Sequence, residues 1–331
     1  MTVRKVLAML AFCGSLALCS AAEWKSDILE GFKQMTVEMP EDYHGKVVST
    51  VIKKDLPPRE SAVLYVHGYN DYFFQTAMAD SVAAHGYGFY AVDLRKYGRS
   101  ILPGQRQFEV RNLKEYFADI DSALTIMRRE GVCNVVLMAH STGGLIASDF
   151  LMENELHRPM IQALVLNSPF LDMNLSKFQE NFLVPLVSFL PFKKVNISQG
   201  DSKAYAESLL KEYHGEWEYA TQWKREVSPD VTTGWITAIH KAQKRVRKNA
   251  NIQIPILLLH SDKSIYGSEW TPEFNTGDSV LDVEDISKYG KRLGGNVTEV
   301  TIADGLHDLI LSRKDVRDCV YQTVFEWLSG L

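Results

Sequence analysis

Ala139-His140-Ser141-Thr142-Gly143-Gly144 follows directly on the apolar run Cys133 to Ala139 and leads directly into a helical pattern from Leu145 to Asn154. A serine with small residues two positions away on each side is what a tight strand-to-helix turn needs if it is to hold its central side chain clear of the backbone, the arrangement of a nucleophile elbow. Ala139 stands where glycine is usual and keeps the steric requirement nearly intact. The helix behind the turn points free backbone N–H groups at the place where negative charge develops when a carbonyl is attacked. Ser141 is therefore the candidate nucleophile, and such a turn demands a parallel sheet around it.

The sequence on both sides supplies that sheet. Ser61 to Val66, Gly88 to Leu94, Cys133 to Ala139 and Ala163 to Asn167 are near-continuous apolar runs, as expected of strands buried on both faces. Phe74 to Ala84 and Leu113 to Glu130 between them have helical spacing, the second with Tyr116, Ile120, Ala123, Leu124 and Met127 on one side. Gln34 to Met39 and Lys46 to Ile52 read as antiparallel strands at the sheet edge. The alternation stops at Ser168-Pro169 and resumes at Pro255 with a strand at Ile256 to Leu259, a helix, and a strand at Val297 to Ile302. The residues between lack strand signals, and an insertion there predicts a helical cap over the strand ends, where open sheets bind ligands. The expected class is α/β: a mostly parallel central sheet with helices on both faces. Residues 23–168 and 251–331 are its two parts, and 169–250 are the cap.

Sheets that carry such an elbow order its partners Ser, then acid, then His along the chain. Of the nine histidines, only His307 follows the last predicted strand, in the loop Asp304-Gly305-Leu306-His307-Asp308. His140, adjacent to Ser141, diverges from it on a tight turn and reads as a supporting residue. A second oxyanion donor is needed from the loop after the strand beginning near Ser61. That strand ends in Val66-His67-Gly68-Tyr69, so the backbone N–H groups of Tyr69 and Thr142 are the expected pair, with His67 structural. Two aspartates compete as the acid. Asp262 lies nearer the end of its strand. Asp278 lies 29 positions before His307, room for one helix and one strand, whereas 45 positions separate Asp262 from it.

Composition narrows the partners. The chain carries a net charge of −5, and losing Arg4 and Lys5 would make it −7, which argues against nucleic-acid binding. The basic run Lys241 to Lys248 shares its helix with Trp235, Ile239, Ala242 and Val246, so it forms the solvated face. No H-E-x-x-H, C-x-x-C or phosphate-cradling glycine loop is present, so neither metal nor cofactor is expected. At the N-terminus, Arg4 and Lys5 precede an apolar run from Val6 to Leu18 and the small residues Ser20-Ala21-Ala22. Residues 1–22 therefore read as a cleaved signal peptide and the chain as exported, the alternative being a lipoprotein anchored at Cys19. Cys133 and Cys319 would remain, either bridged or, for Cys133, as a buried thiol.

The chain resembles the monoacylglycerol lipase and lysophospholipase group of α/β-hydrolases, a serine aminopeptidase S33-like group, over roughly residues 45 to 330. The resemblance rests on His67-Gly68, on Asp93-Leu94-Arg95-Lys96-Tyr97-Gly98-Arg99-Ser100, on the elbow, and on Gly305-Leu306-His307-Asp308. Lys96-Tyr97 stands where Gly-His is usual, and Asp308 replaces glutamate. The family implies acyl-enzyme chemistry on esters of lipid type, monoacylglycerols or lysophospholipids. A small-ester carboxylesterase, an S33-type aminopeptidase and a non-catalytic ligand-binding module are the alternatives. In this family the acid is followed by an apolar residue at its second position and then by a helix, a pattern that Asp278-Ser279-Val280-Leu281 fits and Asp262 does not. Lys263 to Gly277 then becomes a loop insertion, with Gly277 as a flexible turn. Within the cap, the apolar stretch Phe182 to Phe192 either lines an acyl groove or touches a lipid surface, with Phe182 and Phe189 as candidate contacts, or packs the cap onto the core.

Overall fold

The apolar runs become neighbours in one sheet. The computed structural model of the chain describes residues 23–153, 158–173, 196–197 and 201–331. Its strands are Lys25–Ser26 (β1), Phe32–Asp42 (β2), Gly45–Lys54 (β3), Ser61–Val66 (β4), Gly88–Asp93 (β5), Asn134–His140 (β6), Ile161–Asn167 (β7), Asn196–Ile197 (β8), Val231–Thr232 (β9), Ile256–Ser261 (β10) and Val297–Ile302 (β11). Nine form a sheet in the order β1-β2-β3-β5-β4-β6-β7-β10-β11, while β8 and β9 make a separate antiparallel ribbon. Pairing is antiparallel from β1 to β5 and parallel from β5 to β11. All six residues of β5 and of β10 are buried, because helices cover both faces.

On one face, helices Phe117–Arg129 and Thr142–Glu153 pack with Thr233–Asn249 and Val283–Gly290 around Leu64, Val66, Leu137 and Leu258. On the other, Thr76–Ala84 and Lys314–Ser329 cover Val63, Tyr65, Phe89 and Leu259. The residues explain where helices end. Asn112 and Glu115 form a capping box ahead of the helix Phe117–Arg129. Gly131, at φ +92°, closes it: the Gly131 N–H donates to Arg128 O and the Val132 N–H to Met127 O, a Schellman end.

Within 169–250, the helix Thr233–Asn249 buries Trp235, Ile239, Ala242 and Val246 against the sheet-covering layer and turns its basic side outward, where Arg245 meets Asp149 and Arg247 meets Asp172 at 2.6 Å. Helix Ala204–Leu209 and the irregular segment after it instead lie over the strand ends. There Leu209, Trp217, Tyr219 and Trp223 build a small third core with Tyr72, Phe74, Leu306 and Leu311.

Among the described residues, the two cysteines, Cys133 and Cys319, are free and exposed. Neither the bridge nor the buried thiol expected from the sequence is realised, because Cys133 lies ahead of the first residue of β6, outside the helical cover. Among the described residues, no helix is long and apolar enough to cross a membrane.

Candidate active site

Ser141 sits between β6 and the helix Thr142–Glu153 with φ at +51°, a left-handed conformation uncommon for a residue with a side chain. The surroundings hold it there. Its N–H donates to Asn167 O at 3.0 Å, and its own carbonyl accepts from Phe170 N–H at 2.9 Å and Gly144 N–H at 2.9 Å. Gly143 is obligatory: a Cβ there would lie 2.4 Å from His67 O and 2.5 Å from Val66 O, both rigid backbone. The small residue two positions after the serine is thus required because the end of β4 lies directly against the turn.

His307, in the loop after β11, reaches back over the sheet. Its Nε2 is 3.0 Å from Ser141 Oγ and its Nδ1 is 2.8 Å from Asp278 Oδ2. A carboxylate oxygen at Nδ1 selects the tautomer with its proton there, leaving the Nε2 lone pair for the serine hydroxyl. The other oxygen of Asp278 accepts the N–H groups of Val280 and Leu281, each at 2.8 Å, which fixes the carboxylate plane. All three residues are buried. Asp262, the rival acid, is elsewhere: it is exposed and accepts the Asp304 N–H at 2.9 Å, joining the loops that follow β10 and β11. The segment between the two aspartates is a closed excursion, since Ile265 N–H donates to Asp278 O and Asp278 N–H to Lys263 O. Gly277 serves it differently from the flexible turn expected. It makes room for Ile265, whose Cγ1 would lie 2.6 Å from an added Cβ.

The turn after β4 lies against Ser141; a Cβ on Gly68 would be 3.0 Å from Ser141 Cβ. That places Tyr69 beside the elbow. Thr142, first in its helix, has an N–H outside the intrahelical ladder. His67 is structural: Leu94 N–H donates to its Nε2 at 3.1 Å, so the proton is on Nδ1, which faces Gly68 O. Below the same loop, Asp93 accepts the N–H of Phe73 and that of Arg99, each at 2.9 Å. Arg99 lies between Asp93 and Asp27, and these buried carboxylates raise its already high pKa further against the opposing effect of burial. The segment from Asp93 to Ser100 is therefore the underside support of the Tyr69 loop.

One residue here, Asn167, carried no sequence signal. Asn167, at the end of β7, accepts both Ser141 N–H and His140 Nδ1–H on its carbonyl, and its side chain donates to Asp308 Oδ1 at 2.6 Å. It ties the elbow to the loop that carries His307. His140 is buried beside His307, which together hold its pKa well below the ordinary 6.5, burial foremost. Asp308, also buried, has its carboxyl pushed up by desolvation, and one of its oxygens has no partner. Asp71, His140 and Asp308 are the group of described residues with metal-ligand character, their candidate atoms within 4.8 Å of one another. They already have a cation, however: Lys224 Nζ lies 3.1 Å from Asp71 Oδ1.

Ser141 and His307 open into a cavity of about 300 Å³. Its lining combines Phe170, Met173, Leu209, Trp235 and Leu281 with Asn70, Ser202, Tyr205, Lys224 and Ser228. Phe182 and Phe189 lie outside the described residues.

A family described as serine aminopeptidase, S33 matches residues 57–268. No curated protein matches the sequence. Among solved structures, a soluble variant of monoglyceride lipase from Saccharomyces cerevisiae superposes with a TM-score of 0.61 at 16% identity, covering 93% of this chain and 94% of that one. The monoacylglycerol lipase of Paleococcus ferrophilus gives 0.59 at 16% identity, covering 90% and 98%. A thermophilic esterase from Thermogutta terrifontis gives 0.56 at 16%, covering 89% and 98%.

Proposed function

We propose, for a chain that belongs to the serine aminopeptidase S33 family of α/β-hydrolases, that it hydrolyses carboxylic esters through an acyl-enzyme on Ser141. The observation that carries the reading is the continuous chain from Ser141 Oγ through His307 to Asp278, with contacts of 3.0 and 2.8 Å, on a serine held at φ +51°. His307 takes the hydroxyl proton as Ser141 attacks, and Asp278 steadies the imidazolium. The backbone N–H groups of Tyr69 and Thr142 receive the developing oxyanion. His307 then protonates the leaving alcohol, and water repeats the cycle on the acyl-enzyme.

For the substrate, the cavity supports an ester with an apolar acyl part and a polar alcohol part. Phe170, Met173, Leu209 and Trp235 suit the first; Ser202 and Ser228 suit the second. A monoacylglycerol or lysophospholipid has this character. An aminopeptidase would need an available carboxylate for the substrate's amine, and Glu226 at the cavity is paired with Lys203 at 3.0 Å. On the same reading the chain works as an exported enzyme after loss of residues 1–22, with the cap setting preference and touching a lipid surface transiently.

The test is labelling with a fluorophosphonate probe, followed by rates on p-nitrophenyl esters, monoacylglycerols and lysophospholipids. Labelling at Ser141 and faster turnover of the lipid esters are expected. A folded chain that takes no label would be a binding module.

A further inference from the structure

The loop that carries Tyr69 is held from above as well as from below. Four consecutive residues of it bond one segment of the cap. Tyr69 Oη donates to Pro229 O at 3.1 Å. Asn70 Nδ2 donates to Arg225 O at 2.8 Å, while its Oδ1 accepts the Arg225 N–H at 2.8 Å. Asp71 accepts from Lys224 Nζ at 3.1 Å, and Tyr72 Oη accepts the Ala220 N–H at 2.8 Å. The Asn70 amide thus grips the cap's backbone as a neighbouring strand would, whatever the side chain at 225. The Asp71–Lys224 pair is almost wholly buried, and parting a buried pair leaves an uncompensated charge, so the cap is fixed here.

We propose that the cap segment 220–229 is a positioning element for the Tyr69 N–H, acting through the Tyr69 hydroxyl, Asn70 and Asp71, so that the cap governs turnover as well as substrate entry. The proposal rests on the serine-hydrolase reading above. The loop has fixed points beneath it, His67 on Leu94 N–H and Phe73 N–H on Asp93, and the Tyr69 peptide lies between these and the cap bonds. Asn70 itself is left-handed, with φ +50°, a conformation that costs a residue with a side chain energy and that its two bonds to Arg225 help to hold. Any shift of 220–229 is therefore passed to the Tyr69 N–H. Lys224 and Arg225 also line the cavity, so a substrate seated there touches the same segment that sets the oxyanion donor. Misplacing a reacting group by about 1 Å can cost as much as 10²-fold in rate.

The test uses the full chain and p-nitrophenyl acetate, an ester too short to depend on cap contacts for binding. Asn70→Gly keeps the left-handed backbone accessible while removing both bonds to Arg225. We expect kcat to fall about tenfold with KM within about twofold, and an alkyl boronic acid, whose tetrahedral adduct uses the oxyanion donors, to bind more weakly by the same factor. Unchanged kcat, or a rise in KM alone, overturns the proposal, since a cap that only binds substrate moves KM. If Asn70→Gly is unfolded at the assay temperature, Tyr69→Phe decides: it removes only the bond to Pro229, and a two- to threefold loss of kcat supports the coupling while no loss refutes it. Fluorophosphonate labelling of the unsubstituted chain separates the two readings. A chain that is not labelled at Ser141 ends the serine-hydrolase reading and this proposal together. A labelled, active chain indifferent to both substitutions ends this proposal alone.

Discussion

Replacing Asp278 by asparagine changes one atom and should reverse the hydrogen-bond sense of His307. The Oδ1 position accepts two backbone N–H groups, from Val280 and Leu281, at 2.8 Å each. An amide NH₂ turned toward them would set donor against two donors, so the asparagine must keep its carbonyl oxygen there. Its NH₂ then faces His307 Nδ1, where Asp278 Oδ2 stands at 2.8 Å. A donor at Nδ1 forces the imidazole proton onto Nε2, opposite Ser141 Oγ, and the base can no longer accept the serine's proton. Loss of the carboxylate also removes the charge that stabilises the imidazolium. The expected loss is about 10⁴ in kcat with KM little changed, about 5.5 kcal/mol of transition-state stabilisation. Asp262→Asn keeps an oxygen for the Asp304 N–H and should stay within about threefold of the unsubstituted chain. Steady-state rates on one p-nitrophenyl ester compare the two. A larger loss for Asp262→Asn, or less than about tenfold for Asp278→Asn, would refute the reasoning.

Ser141→Ala should reduce turnover by about 10⁴ or more while the thermal midpoint stays within a few degrees, because alanine meets the same backbone strain. Asp308→Asn should raise the midpoint at pH 7 by roughly 2 °C, corresponding to about 1 kcal/mol. The folded-state value of Asp308 lies above the ordinary 3.8, so its ionised form costs stability at pH above that raised value, and the gain should vanish as pH falls below 3.8. His140 has the opposite sense, its folded-state value lying below 6.5. The unfolded chain takes up the proton first, so its contribution is intact above about pH 6.5 and declines below it by up to about 1.4 kcal/mol per pH unit, and denaturant titrations from pH 8 to 5 should show a flatter slope in His140→Phe. Phe189→Asp should depress hydrolysis of long acyl esters more than of acetate; equal losses with a lowered midpoint would make Phe189 a packing residue.

What the sequence discloses is what local chemistry dictates. A serine turn needs small neighbours in fixed positions, and buried parallel strands need unbroken apolar runs, so Ser141, Thr142 and the strands around them are visible one stretch at a time. His307 is legible from chain order. Asp278 is separable from Asp262 because a helix and a strand must fit before His307, but the role of Gly277 is not, since a close approach by Ile265 leaves no mark in a linear text. Asn167 is invisible for the same reason, its partners Ser141 and Asp308 lying 26 and 141 positions away. Lys96 is an intermediate case. It visibly replaces a glycine, and the structure keeps the glycine-like φ of +66° while burying the ammonium against Asp42, Glu109 O and the Tyr43 ring. Only the fold reveals how that charge is tolerated.

The buried pairing of Asp27 with Arg99 makes the first few residues after Ala22 part of the site's foundation. Arg99 Nε and Nη2 give their protons to Asp27 at 2.6 and 2.7 Å, while Nη1 reaches Asp93 and Phe73 O beneath the Tyr69 loop. Severing the chain after Asp27 would strand two guanidinium donors in a dry interior and slacken the carboxylate that holds Phe73, far from any residue that meets substrate. An amino terminus trimmed by a handful of residues would therefore lower the stability of the fold and, with it, the hold on the Tyr69 loop.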